Sequence, residues 1–363
     1  MKTKVLVVDD TIFYRKIISD ILSSFPDVEV VGTANNGEIA LSRIKTMKPD
    51  LLTLDVEMPV MNGLELLQAI NEGEMDVECL MLSSKTEKGS QITMQALELG
   101  AFDFITKPDS PSPEENKVEL KTCLTQFFRA FKMRKNLTKK FSQAGLVKRK
   151  TGPALTGAPR PSVSVSTKLS SRTERSQAVA IGISTGGPNA LNVMLPKLPA
   201  TLGVPIFLVQ HMPPMFTNSL AKSLDAKCPL TVREAINGEV VAPNTVYVAP
   251  GGKQMKVASG VGLKKIIRIT EDPPENNCRP SVDYLFRSVA REYGSKSTCV
   301  IMTGMGTDGK LGLSVTKAAG AVGIAQDEES CVVYGMPKAV VEAGLPDVVA
   351  PLERISAEII KTL

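Results

Sequence analysis

Few residues in this chain are placed to do chemistry, and most of them stand just past an apolar run. Ser184 ends the run at 179–183 and is followed by Thr185, Gly186, Gly187 and Pro188. A strand that stops at a serine among glycines presents its hydroxyl at a sharp turn, with free backbone N–H groups beside it. Such a turn suits a nucleophile with an oxyanion hole, and it equally suits a phosphate cradle at a helix N-terminus. His211 follows a second run, 205–210, and is the only histidine among 363 residues. Any step that needs an imidazole base falls to it. Asp308 lies in the glycine-rich loop 303–309 after a third run, 298–302, in competition with Asp225, Asp272, Asp283 and Asp327. Hydroxyl, imidazole and carboxylate at strand ends are the set required for acyl transfer: Ser184 attacks, His211 moves the proton and Asp308 orients the ring.

The N-terminal third carries a different set. Asp9 and Asp10 follow the run 4–8, Asp55 ends the run 50–54, Ser83 ends 78–82, and Lys107 follows 103–106. Converging carboxylates repel one another unless a cation neutralises them, and an all-oxygen set selects a hard ion such as Mg²⁺. With an ammonium and a hydroxyl across the same pocket, the set suits phosphoryl transfer.

These placements require parallel sheets, which carry their sites at the C-terminal ends of their strands. Short β runs alternate with helical segments over about the first 130 residues, as in a doubly wound α/β domain. Ile17, Ile18, Ile21 and Leu22 share one helix face. Leu120, Leu124, Phe127, Phe128 and Phe131 form the apolar stripe of a closing helix. A basic stretch from Lys132 to Lys150 runs into a Ser-, Thr-, Pro- and Gly-rich segment, which reads as a linker. The second domain is another α/β unit with a mostly parallel, Rossmann-like sheet. Its strands are expected at 179–183, 205–210, 245–248, 266–269, 298–302 and 322–325. The boundaries are a first domain at 1–135, a linker at 136–177 and a catalytic domain at 178–363.

Composition narrows the function classes. Apolar residues make up 43% and charged residues 22%, as in ordinary soluble domains. No apolar run approaches the ~18 residues of a membrane span. The start, MKTKVLVVDD, has too short an apolar core for a secretory signal. Six scattered cysteines without a CxxC pair argue against disulfides and structural zinc, so a cytoplasmic location is expected. The net charge of +5 comes largely from the basic stretch, which lacks interleaved aromatics and a recognition helix, so nucleic acid is not an expected partner. GISTG at 182–186 fits the G-x-S-x-G pattern, but the order Ser, His, Asp differs from the Ser, Asp, His of α/β-hydrolases. G-x-G-x-x-G is incomplete and Gly-Lys-Ser/Thr is absent, so nucleotide binding is not expected.

Two resemblances sharpen this reading. VLVVDD, LDVEMPVMNG, LSS at 82–84 and FITKP at 104–108 resemble the flavodoxin-like receiver domain of bacterial response regulators. The resemblance implies that Asp55 accepts a phosphoryl group from a sensor histidine kinase. It implies further that Asp9, Asp10, Asp55 and the Glu57 backbone hold Mg²⁺, that Ser83 and Lys107 contact the phosphoryl oxygens, and that Phe104 is the switch aromatic. GISTGGP, QHMPPMFT, YVAPGGKQM, RPSVDYLF, TGMGTDG and AQDEESCVVYGMP, spread from about residue 178 to the C-terminus, resemble the chemotaxis protein-glutamate methylesterase family, CheB. It implies hydrolysis of glutamyl methyl esters on chemotaxis receptors, often with deamidation of receptor glutamines. The implied triad is Ser184, His211 and Asp308, with the Met305 amide in the oxyanion hole and Thr185 close to the nucleophile. It also implies that the unphosphorylated receiver obstructs the triad. Two other readings stay open: a response regulator whose second domain acts by binding, and a same-fold esterase or deamidase serving another signalling system.

Overall fold

Apolar runs of five or six residues with no polar alternation build two parallel sheets, each buried on both faces. The computed structural model describes residues 2–143 and 174–363. The chain divides into two compact units, Met1–Arg129 and Ala130–Leu363.

The first unit alternates β1 (Thr3–Val8), α1 (Ile12–Ser23), β2 (Val28–Ala34), α2 (Gly37–Met47), β3 (Leu51–Asp55), α3 (Gly63–Glu72), β4 (Glu78–Ser83), α4 (Glu87–Glu98) and β5 (Asp103–Thr106), and α5 (Pro113–Gln143) follows. Its strands are all parallel in the order β2-β1-β3-β4-β5. The order reverses beside β1, so the crevice lies between the ends of β1 and β3, where Asp9 and Asp55 stand. Two devices shape the turn after Asp55. Asn62 and Glu65 close a capping box at the start of α3. Gly63 passes so close that a Cβ there would sit 2.2 Å from the Asp55 carbonyl oxygen. The α5 stripe Leu120, Leu124, Phe127, Phe128 and Phe131 is buried, with Phe128 edge-on to Phe25 and Phe127 edge-on to Phe102. Sequence reasoning passed over β2. It is an edge strand, mostly half-buried, with Gly32 and Thr33 in place of an apolar finish.

The second unit begins with β6 (Ala178–Ile183), α6 (Gly187–Met194), β7 (Ile206–Gln210), α7 (Phe216–Asp225), β8 (Thr231–Glu234) and β9 (Thr245–Val248). A hairpin, β10 (Gln254–Ser259) and β11 (Lys265–Thr270), leads to α8 (Val282–Tyr293) and β12 (Ser297–Ile301). The chain then runs through α9 (Lys310–Ala318), β13 (Val322–Gln326), α10 (Met336–Glu342), β14 (Val348–Ala350) and α11 (Leu352–Ile360). Seven strands pair in parallel in the order β14-β13-β12-β6-β7-β9-β8. The strand expected at 266–269 is not part of this sheet. It is β11, paired antiparallel with β10, where Met255 and Val257 are buried on either side of a half-buried Lys256. The sheet order reverses between β6 and β12, which places the crevice where Ser184 and the 303–309 loop emerge. Much of the linker expectation falls on residues 144–173, outside the described residues. No helix among the described residues is long and apolar enough to cross a membrane.

Candidate functional site

β6, β7 and β12 lie side by side at the centre of the second sheet, and the loops at their ends build one site. The His211 N–H donates to the Ile183 carbonyl (3.1 Å) and the Ser184 N–H to the Thr303 carbonyl (3.0 Å), tying the three strand ends together. Gln210 sits beneath them, its Nε2 donating to the Ser184 (3.0 Å) and His211 (3.3 Å) carbonyls. Gly304 packs flat on the serine, since a Cβ there would stand 2.7 Å from Ser184 Cβ and 2.6 Å from Met336 Sδ. Gly304→Ala should therefore displace Ser184 and lower kcat by on the order of 100-fold, the loss that follows a shift of about 1 Å. Steady-state kinetics on a variant shown to be folded checks this, and an unchanged kcat contradicts it.

Asp308 is buried and holds His211. Its Oδ2 lies 2.8 Å from His211 Nε2 and accepts the Val282 N–H at 2.7 Å. Its Oδ1 accepts from Ser281 Oγ (2.9 Å), Asn276 Nδ2 (3.0 Å) and the N–H groups of Asp283 and Gly309 (3.1 Å each). Three of these groups, Ser281, Val282 and Asp283, form the start of α8, whose N-terminal dipole favours an anion. Burial alone would raise the Asp308 pKa; the His211 hydrogen bond and charge and these amides lower it to about 2. For His211, burial lowers the pKa, while hydrogen bonds to Asp308 and Cys278 raise it to about 10.

An ionised Asp308 can only accept, so Nε2 carries the proton and Nδ1 is the nitrogen left to act as base. The carboxylate thus meets Nε2, where the serine-protease arrangement has it on Nδ1. Nδ1 lies 3.7 Å from Cys278 Sγ. Among the described residues no hydrogen bond holds the Ser184 hydroxyl, and the N–H groups of Thr185 and Met305 have no partner. The rival carboxylates are engaged elsewhere. Asp283 accepts from Gly312 and Asn276, Asp225 from Val232 and Asp327 from Ser330, while Asp272 pairs with Tyr284.

In the first unit Lys107 Nζ bridges Asp9 Oδ2 (2.8 Å) and Asp55 Oδ2 (2.7 Å). Carboxylate oxygens of Asp9, Asp10 and Asp55 all lie within 4.8 Å of one another. Burial pushes the Asp55 carboxyl up to about 6 despite the Lys107 charge, which lowers it. The Ser83 hydroxyl is buried and turned to α4, donating to the Gly89 carbonyl (3.2 Å) and accepting from Thr93 (2.8 Å). Phe104 is half-buried on β5, and Glu57 is exposed, paired with Lys88.

Comparison with known proteins places both units. A family model for the response regulator receiver domain matches residues 5–118, and one for CheB methylesterase matches 179–359. A protein-glutamate methylesterase/protein-glutamine glutaminase of Desulfotalea psychrophila is 54% identical over 99% of this chain and 98% of its own. The chain belongs to the CheB methylesterase family. Its relative of the same name in Bacillus subtilis is 45% identical over 98% of this chain and 97% of its own. The CheB methylesterase catalytic domain of Thermotoga maritima, a crystal structure, is 44% identical with a TM-score of 0.51, covering 52% of this chain and 99% of that one.

Within this CheB chain, sequence reasoning missed the residues that support the site. Cys278, Asn276 and Ser281 reach His211 and Asp308 from a segment without a strand-end signal. Gln210 ends a strand and opens the QHMPPMFT motif, but neither signal shows its side chain bracing the Ser184 and His211 carbonyls. Tyr14 was likewise overlooked. Its ring lies under the Lys107 ammonium at 4.7 Å, and its hydroxyl donates to the Pro108 carbonyl. The R-P-S-V-D string at 279–283 was the available signal, since a serine N-cap opening an amphipathic helix marks exposed N–H groups.

Proposed function

We propose that this chain hydrolyses γ-glutamyl methyl esters on the cytoplasmic domains of chemotaxis receptors, under control of phosphorylation at Asp55. The same site deamidates receptor glutamines. The observation that carries the reading is the Asp308–His211 pair, brought together beyond the ends of β12 and β7, the two strands that flank the one ending at Ser184. His211 Nδ1 takes the proton as Ser184 Oγ attacks the ester carbonyl. The backbone amides of Met305 and Thr185 receive the oxyanion. The imidazolium, held by Asp308, returns the proton to the departing methanol, or to ammonia when the substrate is glutamine. Water activated by Nδ1 then releases the glutamate.

In the receiver, Asp55 accepts the phosphoryl group of a sensor-kinase phosphohistidine, and Lys107 neutralises the growing charge. The donor set fits a hard cation, because the Asp9, Asp10 and Asp55 carboxylates converge and offer only oxygen. These three residues and the Glu57 backbone would hold Mg²⁺, which supplies charge neutralisation when bound. Ser83 donates to a phosphoryl oxygen only after leaving the Gly89 carbonyl.

The test incubates the full chain with methylated receptor and with glutamine-containing receptor, with and without a small phosphodonor. Methanol and ammonia release are followed, and release of neither overturns the reading. Asp55→Asn should remove both the acid-labile phosphoryl group and the rise in methanol release caused by the donor. A donor response that survives in this variant would reject Asp55 as the acceptor.

A further inference from the structure

We propose that Cys278 and His211 form a binding site for a soft divalent cation of the zinc class, and that its occupation stops the esterase. Inhibition rests on the proposed hydrolysis, whereas binding does not. Zinc bonds of about 2.3 Å to sulfur and about 2.0–2.1 Å to imidazole, at a tetrahedral angle, set S and N about 3.6 Å apart. Cys278 Sγ and His211 Nδ1 are 3.7 Å apart, so the two donors stand ready with little movement. The ligand atoms of His211, Cys278 and Asp308 also fall within 4.8 Å of one another. Asp308 does not serve as a third ligand, because both its oxygens are taken by six donors. It serves by accepting from Nε2–H, which holds the ring so that Nδ1, once it gives up its proton, turns its lone pair to the sulfur. A ligating histidine commonly has such a carboxylate behind it.

Thiolate with imidazole selects zinc-class ions over Mg²⁺, whereas the all-oxygen Asp9–Asp10–Asp55 cluster has the opposite preference. Saturating Mg²⁺ therefore leaves the cysteine site open. Cys79, Cys299 and Cys331 are buried and Cys123 and Cys228 half-buried, and with a single histidine in the chain none has an imidazole partner comparable to that of Cys278. Binding releases two protons to solvent, the thiol proton of Cys278 and the Nδ1 proton of the His211 imidazolium, and forms one metal–sulfur and one metal–nitrogen bond, with water completing the coordination. No electrons are transferred. The bound ion occupies the lone pair that Ser184 needs, so the base is lost while the fold is retained.

The full chain, kept in excess Mg²⁺, is titrated with Cd²⁺ while thiolate-to-cadmium ultraviolet absorption is read. It is titrated separately with Zn²⁺ while methanol release is followed. The expected result is a cadmium band that falls in Cys278→Ser and Zn²⁺ inhibition that EDTA reverses. Losing a ligand should raise the half-inhibiting Zn²⁺ concentration, relative to each variant's own uninhibited rate, by at least about tenfold. Cys278→His should restore Zn²⁺ inhibition without the cadmium band, a rescue that damage to the fold would not produce. An undiminished band, or equal Zn²⁺ sensitivity, in Cys278→Ser overturns the proposal. Should the chain hydrolyse no ester, the absorption titration still decides whether the site exists.

Discussion

Ser184→Ala is expected to lower methanol release by on the order of 10⁶-fold, the scale of loss when a triad serine is removed, while Asp55 is still phosphorylated at the wild-type rate. The nearby hydroxyls are committed elsewhere. Ser281 Oγ donates to Asp308, and Thr303 Oγ1 donates to the Thr185 carbonyl and accepts from the Val333 N–H. A residual rate of about 10³–10⁴ over water should persist, because the amides proposed to bind the oxyanion are backbone. One side chain could mask the loss. Cys278 lies beside the same ring nitrogen, so turnover in Ser184→Ala that thiol alkylation removes would identify it as a substitute nucleophile. Near-wild-type turnover that alkylation leaves intact would reject Ser184 and with it the acyl-enzyme route. Phosphorylation lost together with turnover would indicate damage beyond the nucleophile.

The strands that carry this chemistry were legible because the interior of a parallel sheet leaves a distinct mark: five or six apolar residues ending abruptly in a functional one. β6, β7 and β12 all read this way, as did β1, β3 and β4. The strands missed have the opposite character. β8 is an edge strand of four residues with Arg233 and Glu234 at its end, and β14 has only three residues. β10 alternates buried Met255 and Val257 with Lys256, a period-two signal too short to stand out. A strand-end rule picked out Ser184, His211 and Asp308 but could not assign ring nitrogens. Which nitrogen meets Asp308 depends on Asn276, Ser281 and the first amides of α8, groups 25–32 residues away in sequence. Long-range hydrogen bonding of this kind leaves no local period. The same limit applies to Ser83, whose residue type fits a phosphoryl contact while its hydroxyl is spent on Thr93 and Gly89.

Asp308→Asn tests the tautomer directly. The carboxylate accepts from Nε2–H; an amide NH₂ in its place would donate to Nε2 and drive the proton to Nδ1, the nitrogen proposed to receive the serine proton. The expected loss in kcat is about 10⁴-fold, as for the corresponding change in a serine protease. The pH dependence should change as well. In the wild type, burial lowers the His211 pKa, but hydrogen bonds and charge from Asp308 and Cys278 overcome it and raise the pKa to about 10. The base form therefore grows with pH, and kcat/KM should climb through the alkaline range instead of levelling near the usual imidazole value of about 6.5. Without the carboxylate only Cys278 still opposes burial, so the variant's low activity should level off at a lower pH. Linkage gives the sign for stability. A raised folded-state pKa contributes stability that is complete below about pH 6.5 and is lost as pH rises through about 10. The Tm gap between wild type and Asp308→Asn should thus narrow between pH 6 and pH 10, apart from the constant penalty of facing an amide toward the α8 N–H groups. A wild-type profile that levels below pH 7 and stays unshifted in the variant would mean that Asp308 does not govern the histidine.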